Sequence, residues 1–160
     1  MRRIGITGGI GSGKSVVSRL LRIMGYSVYD TDSEAKRLME SSLEVVQKLS
    51  ECFGRDIYHN GRLNRGLLSS RVFGESDKIV LLNSIVHPVV RFDFYRWSES
   101  LNEEICFVES AILYESRFDE LVDEVWTVTA PEELRISRVR QRSGLTCLLY
   151  TSPSPRDVEE

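Results

Sequence analysis

Long apolar runs and an excess of basic residues are both missing from this 160-residue sequence. No apolar stretch approaches the roughly 18 residues that a membrane-spanning helix requires, so we expect no membrane association. The start, MRRIGITGG, has a basic tip, but glycines and Lys14 interrupt its apolar stretch. We therefore predict no signal peptide and a cytoplasmic location. Lysine and arginine number 21 against 24 aspartates and glutamates, whereas a general nucleic-acid binder usually has a basic excess, so no nucleic-acid partner is expected.

Cysteine and histidine are also scarce, and their spacing does not match the common metal-binding patterns. The three cysteines, Cys52, Cys106 and Cys147, are odd in number and widely separated, which suits a reducing compartment. They do not form the paired spacing of a zinc site. His59 and His87 are far apart in the sequence as well. The sequence therefore predicts no metal cluster built from these residue types.

Glycine, by contrast, is concentrated near the start of the chain. Residues 8–15, GGIGSGKS, match the phosphate-loop pattern G-x-x-x-x-G-K-[ST] in full. A loop that wraps phosphate groups must turn successive backbone N–H groups inward, and glycine permits the backbone angles that this requires. Lys14 is then expected to reach the β- and γ-phosphates of ATP, and the Ser15 hydroxyl to ligate Mg²⁺. The predicted nucleotide-binding residues are Gly8, Gly9, Ile10, Gly11, Ser12, Gly13, Lys14, Ser15 and Val16.

The segments on either side of this loop have the pattern that a phosphate loop requires. Residues 3–7 are typical of a short buried strand. After the loop, apolar residues recur at helical spacing until Gly25, which is typical of a helix end. The N-terminus of that helix would favour an anion through its dipole and N–H groups. A flexible glycine–serine turn is the alternative interpretation, and the order of strand, loop and helix disfavours it.

Acidic residues follow two further predicted strands. Asp30 and Asp32 come directly after the strand predicted for residues 27–29 and before a predicted helix. Ligands bind beyond the carboxyl ends of strands in open α/β sheets, so both carboxylates are expected near the phosphate loop. The alternative is that one of them only caps the helix, and Asp32, which Ser33 and Glu34 follow, fits a cap well. A third strand, predicted for residues 105–109, ends at Glu109, which is either an acid near the magnesium or a carboxylate in an ordinary ion pair.

The region from about residue 43 to residue 102 has helical periodicity and interrupts the alternation of strands and helices. We interpret it as an insertion that covers the site or binds a second substrate, with plain structural packing as the alternative. Within it, Asn60 and Gly61 are turn signals. His87 and Pro88 are expected to mark a junction between two helices, since proline suits a first helical turn. His87 itself is either a structural or a functional histidine.

The sequence from residue 124 onward predicts a strand followed by an arginine-rich helix. Residues 124–129 are typical of a fourth strand, and Pro131 with the two glutamates after it predicts a helix start. Arg138 and Arg142 are four residues apart on this helix, so they share a face. Such arginines neutralise phosphate charge in many kinases, and the alternative is a solvated basic face.

Together these segments resemble the dephospho-coenzyme A kinase family over roughly residues 1–146. The resemblance rests on GITGGIGSGKS, VYDTDSEAKR, IVHPVVR, the strand with ESAILYE, and RISRVRQR. It implies an α/β, P-loop NTPase-type three-layer fold with a parallel sheet and a helical substrate-binding insertion. The implied nucleotide-binding core comprises residues 1–32 and 104–146, with a lid segment at about residues 131–146. Residues 33–103 would be the helical insertion that binds coenzyme A (CoA).

The family transfers the ATP γ-phosphoryl group to the 3′-hydroxyl of dephospho-CoA in the last step of CoA biosynthesis. The resemblance therefore implies ATP and Mg²⁺ as cofactors and dephospho-CoA as the small-molecule substrate, while the oligomeric state is not indicated. Asp32 matches the family's general base for the ribose hydroxyl, and His87 matches its His-Pro histidine on the CoA side. The implied catalytic residues are Asp32, Lys14, Arg138 and Arg142. The implied substrate-binding residues are Asp32, Lys36, His87 and Glu109.

This chain departs from the family pattern at several positions. Lys36 stands where the family usually has arginine, which keeps the charge but loses the planar fork. Glu109 and Ala111 stand where the family often has aspartate and then proline, and Ser143 where it usually has aspartate. Residues 147–160 do not follow the family, whose members continue with another strand and a closing helix. We interpret them as a disordered foreign tail, such as a translated adapter, joined to a truncated reading frame.

Two other functions are compatible with the same residues. One is a P-loop kinase for another small alcohol, and the other is an ATP-binding module made inactive by the truncation. The phosphate loop alone indicates only the superfamily. The D-x-D sequence after it, together with the His-Pro pair, favours dephospho-CoA as the acceptor.

Overall fold

A computed structural model of the chain describes residues 1–143. These residues form two compact units, which we call the sheet unit (Met1–Tyr29 with the described residues from Asn102 onward) and the helical unit (Asp30–Leu101). In chain order, the strands and helices are β1 (Arg2–Thr7), α1 (Lys14–Ile23), β2 (Ser27–Asp30), α2 (Thr31–Ser41), α3 (Leu43–Phe53), β3 (Tyr58–His59), β4 (Arg62–Leu63), α4 (Arg65–Val72), α5 (Ser76–Ser100), β5 (Ile105–Glu109), β6 (Glu124–Thr127) and α6 (Glu132–Ser143).

The sheet unit is built around four strands in the order β2–β5–β1–β6. β1 pairs in parallel with both β5 and β6, so these three strands end at the same edge of the sheet. Ile6 lies opposite Glu109 on one side and opposite Trp126 on the other. The predicted α/β fold with a parallel sheet is therefore confirmed, and all four predicted strands are present.

The first helix, α1, packs its apolar stripe on one face of this sheet. The buried cluster that they form comprises Ile4, Ile6, Leu21 and Phe107. The helix ends at Ile23 with Met24 as its C-cap, and Gly25 follows with a φ of 96°. There the Tyr26 N–H donates to the Leu21 carbonyl oxygen at 3.0 Å, the pattern of a glycine-terminated helix. The helix stop that the sequence predicted at Gly25 is thus confirmed.

The helical unit is held together by α2, α3 and α5, which pack against one another. Their buried side chains recur at helical spacing, which is why the sequence pattern predicted helices here. These buried residues are Leu38, Val45, Leu49, Phe53, Ile85, Val86, Val90 and Phe94. Between α3 and α4, Asn60 and Gly61 have φ values of 50° and 76° and form the two-residue turn of the hairpin β3–β4. The sequence predicted this turn but not its two short strands.

The longest helix, α5, runs from Ser76 to Ser100 with Pro88 in its interior. The predicted junction between two helices at His87 and Pro88 is therefore wrong. A proline inside a helix removes one backbone N–H and costs about 3 kcal/mol. Val86 and Val90, on either side of it, are buried in the core. Packing of the apolar face outweighs the local preference of proline.

None of the described helices combines the length and the apolar character that crossing a lipid bilayer requires. The predicted tail at residues 147–160, Cys147 and the last three residues of the predicted lid segment lie outside the described residues.

Candidate active site

The loop after β1 is shaped by glycines that have no room for a side chain. A Cβ added to Gly8 would lie 2.3 Å from the Val128 carbonyl oxygen, and one added to Gly11 would lie 2.7 Å from the Arg135 carbonyl oxygen. Gly11 and Gly13 also have φ values of 77° and 104°, in the left-handed region that other residues rarely adopt. Backbone angle and close packing therefore both require glycine in this loop.

Lys14 begins α1, and its ammonium group lies against the start of the loop. Its Nζ donates to the carbonyl oxygens of Gly8 at 2.8 Å and Gly9 at 3.3 Å. The N-cap of α1, Gly13, makes no side-chain cap bond, and the first turn contains no acid, whereas α2 and α3 have both. The loop thus combines a cation with a helix N-terminus that suits a bound anion. Ser15 is exposed at the same end of α1.

Ser12 adds a buried hydroxyl to the loop. The residue is 4% exposed, and within residues 1–143 its Oγ has no hydrogen-bond partner. A buried polar atom without a partner costs about 1–3 kcal/mol. A bound group that hydrogen-bonds this hydroxyl would therefore be stabilised, and phosphate oxygens are of the right chemistry.

Glu109 is the last residue of β5 and pairs with Ile6 of β1. Its Oε2 accepts a 2.6 Å hydrogen bond from the hydroxyl of Ser18, which is fully buried in α1. The N–H of Ser110 donates to the Ile6 carbonyl oxygen at 2.9 Å, so the pairing of β1 and β5 continues to the end of the strands. The carboxylate is thereby held at the carboxyl edge of the sheet by the helix that follows the loop.

The arginine-rich helix, α6, reaches the phosphate loop through Arg138. Its Nη1 donates to the Gly11 carbonyl oxygen at 2.9 Å. A Cβ on Gly13 would lie 3.7 Å from the same nitrogen. Arg142, one turn further along α6, is exposed. Arg138 therefore places a guanidinium group at the loop where phosphate groups are expected.

In the helical unit, the structure decides which aspartate caps α2. Asp30 is the N-cap, and its Oδ1 accepts from the N–H groups of Asp32 at 3.0 Å and Ser33 at 3.4 Å. Asp32 lies in the first turn of α2 with its side chain 81% exposed, and its Oδ2 pairs with Lys36 Nζ at 3.2 Å. The expectation that Asp32 fits the cap is therefore wrong, because the backbone is extended at Asp30 and the helix begins at Thr31, which places Asp32 inside the first turn. The Asp32 carboxylate is left accessible.

His87 lies in the middle of α5 and is half-buried. Burial, and secondarily the charge of Arg91 one turn later, lower the pKa of His87. The neutral imidazole is therefore favoured near neutral pH, and it can both donate and accept a hydrogen bond.

The described residues fit a magnesium ion that arrives with a nucleotide. Within residues 1–143, no three or more His, Cys, Asp or Glu side chains are grouped so that they could hold a metal. Mg²⁺ usually keeps several waters and is bound through one or two protein oxygen ligands plus substrate phosphates. The Ser15 hydroxyl and the Glu109 carboxylate are oxygen donors of this kind.

Residues 2–148 match the sequence model of the family described as dephospho-CoA kinase. The chain belongs to the dephospho-CoA kinase family. The resemblance that the sequence motifs indicated is thus confirmed.

Curated bacterial dephospho-CoA kinases align with most of the chain. The enzyme from Porphyromonas gingivalis is 47% identical over 144 residues, which cover 90% of this chain and 71% of the relative. The one from Corynebacterium diphtheriae is 41% identical over 149 residues, which cover 91% of this chain and 74% of the relative.

Solved structures share the fold. A protein from Thermus thermophilus superposes with a TM-score of 0.78 at 37% identity, covering 91% of this chain and 74% of that one. The dephospho-CoA kinase from Campylobacter jejuni has a TM-score of 0.71 at 22% identity and covers 99% of this chain and 82% of its own. Shikimate kinase from Acinetobacter baumannii has a TM-score of 0.52 at 17% identity and covers 94% of this chain and 69% of its own. The last two likenesses concern the fold alone.

Two contacts in this member of the dephospho-CoA kinase family were not predicted from its sequence. One joins Ser18 to Glu109, and the other joins Gly11 to Arg138. Ser18 lies one helical turn after Lys14, so its side of α1 could have been predicted from spacing. Its partner is 91 residues away, however, and the pattern does not specify which strand end it meets.

Proposed function

We propose that this chain transfers the γ-phosphoryl group of ATP to the 3′-hydroxyl of dephospho-CoA, giving CoA and ADP. The proposal rests above all on the phosphate loop of this dephospho-CoA kinase family member. Gly8 and Gly11 leave no room for a side chain, and Lys14 Nζ donates a 2.8 Å hydrogen bond to the Gly8 carbonyl oxygen. The loop leads into a helix N-terminus without a side-chain cap. A loop of this construction binds polyphosphates.

Phosphoryl transfer depends mainly on positioning and charge neutralisation. The 3′-oxygen forms a bond to the γ-phosphorus while the bond from that phosphorus to the bridging oxygen breaks, which releases ADP. The hydroxyl proton passes to Asp32 as the general base. The local geometry favours Asp32 over Asp30, because Asp30 already accepts two backbone N–H bonds.

Positive groups would neutralise the charge that develops on the transferred phosphoryl group. Lys14 and Arg138 both contact the loop backbone, and Arg142 on the same face of α6 is proposed to assist them. The Ser15 hydroxyl and the Glu109 carboxylate would hold Mg²⁺ together with the nucleotide phosphates. When bound, the ion neutralises charge on the β- and γ-phosphate oxygens.

The helical unit is proposed to bind the CoA portion of the acceptor. Lys36 supplies a cation for its phosphate groups, and the His87 imidazole supplies a hydrogen-bonding group. We place the reaction in the cytoplasm, where a reducing environment keeps thiols such as Cys52 and Cys106 free.

The first test is ADP release by the purified chain with Mg-ATP, measured with and without dephospho-CoA. We expect release to depend on dephospho-CoA and not to be stimulated by a nucleoside lacking the diphosphate and pantetheine portions. A chain that is folded by circular dichroism but shows no stimulation by dephospho-CoA would refute the proposal.

The second test separates the two aspartates. Asp32→Asn is expected to lower kcat by about 10²–10⁴-fold with ATP affinity nearly unchanged, because a general base is lost. Asp30→Asn is the matched control, since asparagine caps a helix about as well as aspartate. It should retain both fold and activity. Unchanged turnover in Asp32→Asn would remove Asp32 as the base.

A further inference from the structure

Ser18 is a buried polar residue that the proposed reaction does not use. Its exposure is 0%, and its Oγ donates a 2.6 Å hydrogen bond to Oε2 of Glu109. The two residues are 91 positions apart in the sequence, one in α1 and the other at the end of β5. This bond therefore ties the helix after the phosphate loop to the strand end beside it.

Two other buried serines of the described region donate their hydroxyls to nearby backbone carbonyls. Ser98 and Ser116, which are 0% and 2% exposed, donate to the carbonyl oxygens of Tyr95 and Ile112, three and four residues earlier. This is the common arrangement for a buried serine in or near a helix. A serine hydroxyl has one hydrogen to donate, and Ser18 directs it to a carboxylate.

The Ser18–Glu109 pair lies where the phosphate loop leaves the sheet. Glu109 pairs with Ile6, which is near the end of the strand that precedes the loop. Ser18 follows Lys14 and Ser15 by one helical turn, so it lies on their side of α1. We propose that Ser18 is a positioning residue that holds the Glu109 carboxylate in place for binding a magnesium–nucleotide complex. This inference rests on the proposed role of Glu109.

The charge of the carboxylate gives this role a specific signature. A carboxylate near bound phosphates repels them when no cation is present, and it attracts Mg²⁺ when the ion is bound with them. The position of Glu109 therefore sets the ratio of the ADP affinity with Mg²⁺ to the ADP affinity without it. A hydrogen bond that only supported the fold would change both affinities equally.

Isothermal titration calorimetry with ADP, in excess Mg²⁺ and in EDTA, measures this ratio. We expect Ser18→Ala to lower it by about tenfold, as loss of a group that orients a metal ligand commonly does. Glu109→Gln should lower it at least as much, and adding Ser18→Ala should lower it no further, because Ser18 acts through Glu109. Ser98→Ala removes an equally buried hydroxyl and should leave the ratio unchanged.

Equal loss of affinity in Mg²⁺ and in EDTA, or additive losses in the double variant, would overturn the inference. If Ser18→Ala does not fold, Ser18→Cys, which has a similar volume and a weak donor, takes its place in the same comparison. An unchanged ratio in Glu109→Gln would overturn the inference together with the role of Glu109. Dephospho-CoA-dependent ADP release by the unmutated chain would then still support the kinase function, so the two failures are distinguishable.

Discussion

Replacing Gly11 by alanine tests whether the packing of α6 on the phosphate loop matters for catalysis. The added Cβ would lie 2.7 Å from the Arg135 carbonyl oxygen, whereas an ordinary contact begins at 3.4 Å. The α6 backbone must therefore retreat by roughly 0.7 Å. If α6 moves directly away, the hydrogen bond from Arg138 to Gly11, now 2.9 Å, lengthens to about 3.6 Å, which is too long for a hydrogen bond.

Gly25→Ala is the matched control for this variant. Gly25 also has a positive φ, 96° against 77° for Gly11, but a Cβ there would meet nothing within 4 Å. Both variants should lose about 1–2 kcal/mol of unfolding free energy from the left-handed backbone. Only Gly11→Ala displaces α6. Loss of the hydrogen bond from the charged Arg138, worth about 1.5 kcal/mol, corresponds to a reaction rate that is about tenfold lower.

The assay compares kcat/KM for dephospho-CoA-dependent ADP release in both variants, with thermal unfolding as the measure of stability. We expect Gly11→Ala to be at least about tenfold slower than Gly25→Ala. It should also melt at a somewhat lower temperature, because the displacement of α6 adds to the backbone cost that the two variants share. In a chain that already carries Arg138→Ala, Gly11→Ala should lower kcat/KM much less, because both changes act through the hydrogen bond between Arg138 and Gly11. Equal kcat/KM values for the Gly11 and Gly25 variants would refute the reasoning.

Three further predictions concern the core, the histidine and the lysine. Phe94 is fully buried, so Phe94→Ala should cost about 3–5 kcal/mol in urea unfolding, and a cost under about 1 kcal/mol would contradict its core role. Burial and Arg91 lower the pKa of His87 from 6.5, so its contribution to stability is present above pH 6.5 and is lost as the pH falls toward the folded-state pKa. Between about pH 7 and pH 5.5, the melting temperature should fall more in the unmutated chain than in His87→Gln. A variant of the exposed histidine, His59→Gln, is the control. An equal fall in melting temperature in the unmutated chain and in His87→Gln would contradict the prediction. Lys14→Met should weaken ATP binding, measured by calorimetry, and lower kcat by about 10²-fold or more in turnover assays. An ATP affinity and a kcat equal to those of the unmutated chain would contradict this prediction.

The sequence by itself determined the features that depend on residues close together in the chain. The phosphate loop was predictable because glycine permits its backbone angles whatever lies around it. The four strands and α1 were predictable because their apolar periodicity spans only a few residues. The stop at Gly25 is likewise a local matter of one left-handed residue.

Only the tertiary structure decided the features in which distant residues compete or meet. The sequence pattern indicated Asp32 as a good cap, whereas the helix begins at Thr31, directly after the extended Asp30, so that Asp30 is the cap. Pro88 lies inside α5 because the buried residues around it stabilise a continuous helix more than proline disfavours it. Ser18 meets Glu109 across 91 residues, and such a contact follows from strand order and helix packing, which no local pattern encodes.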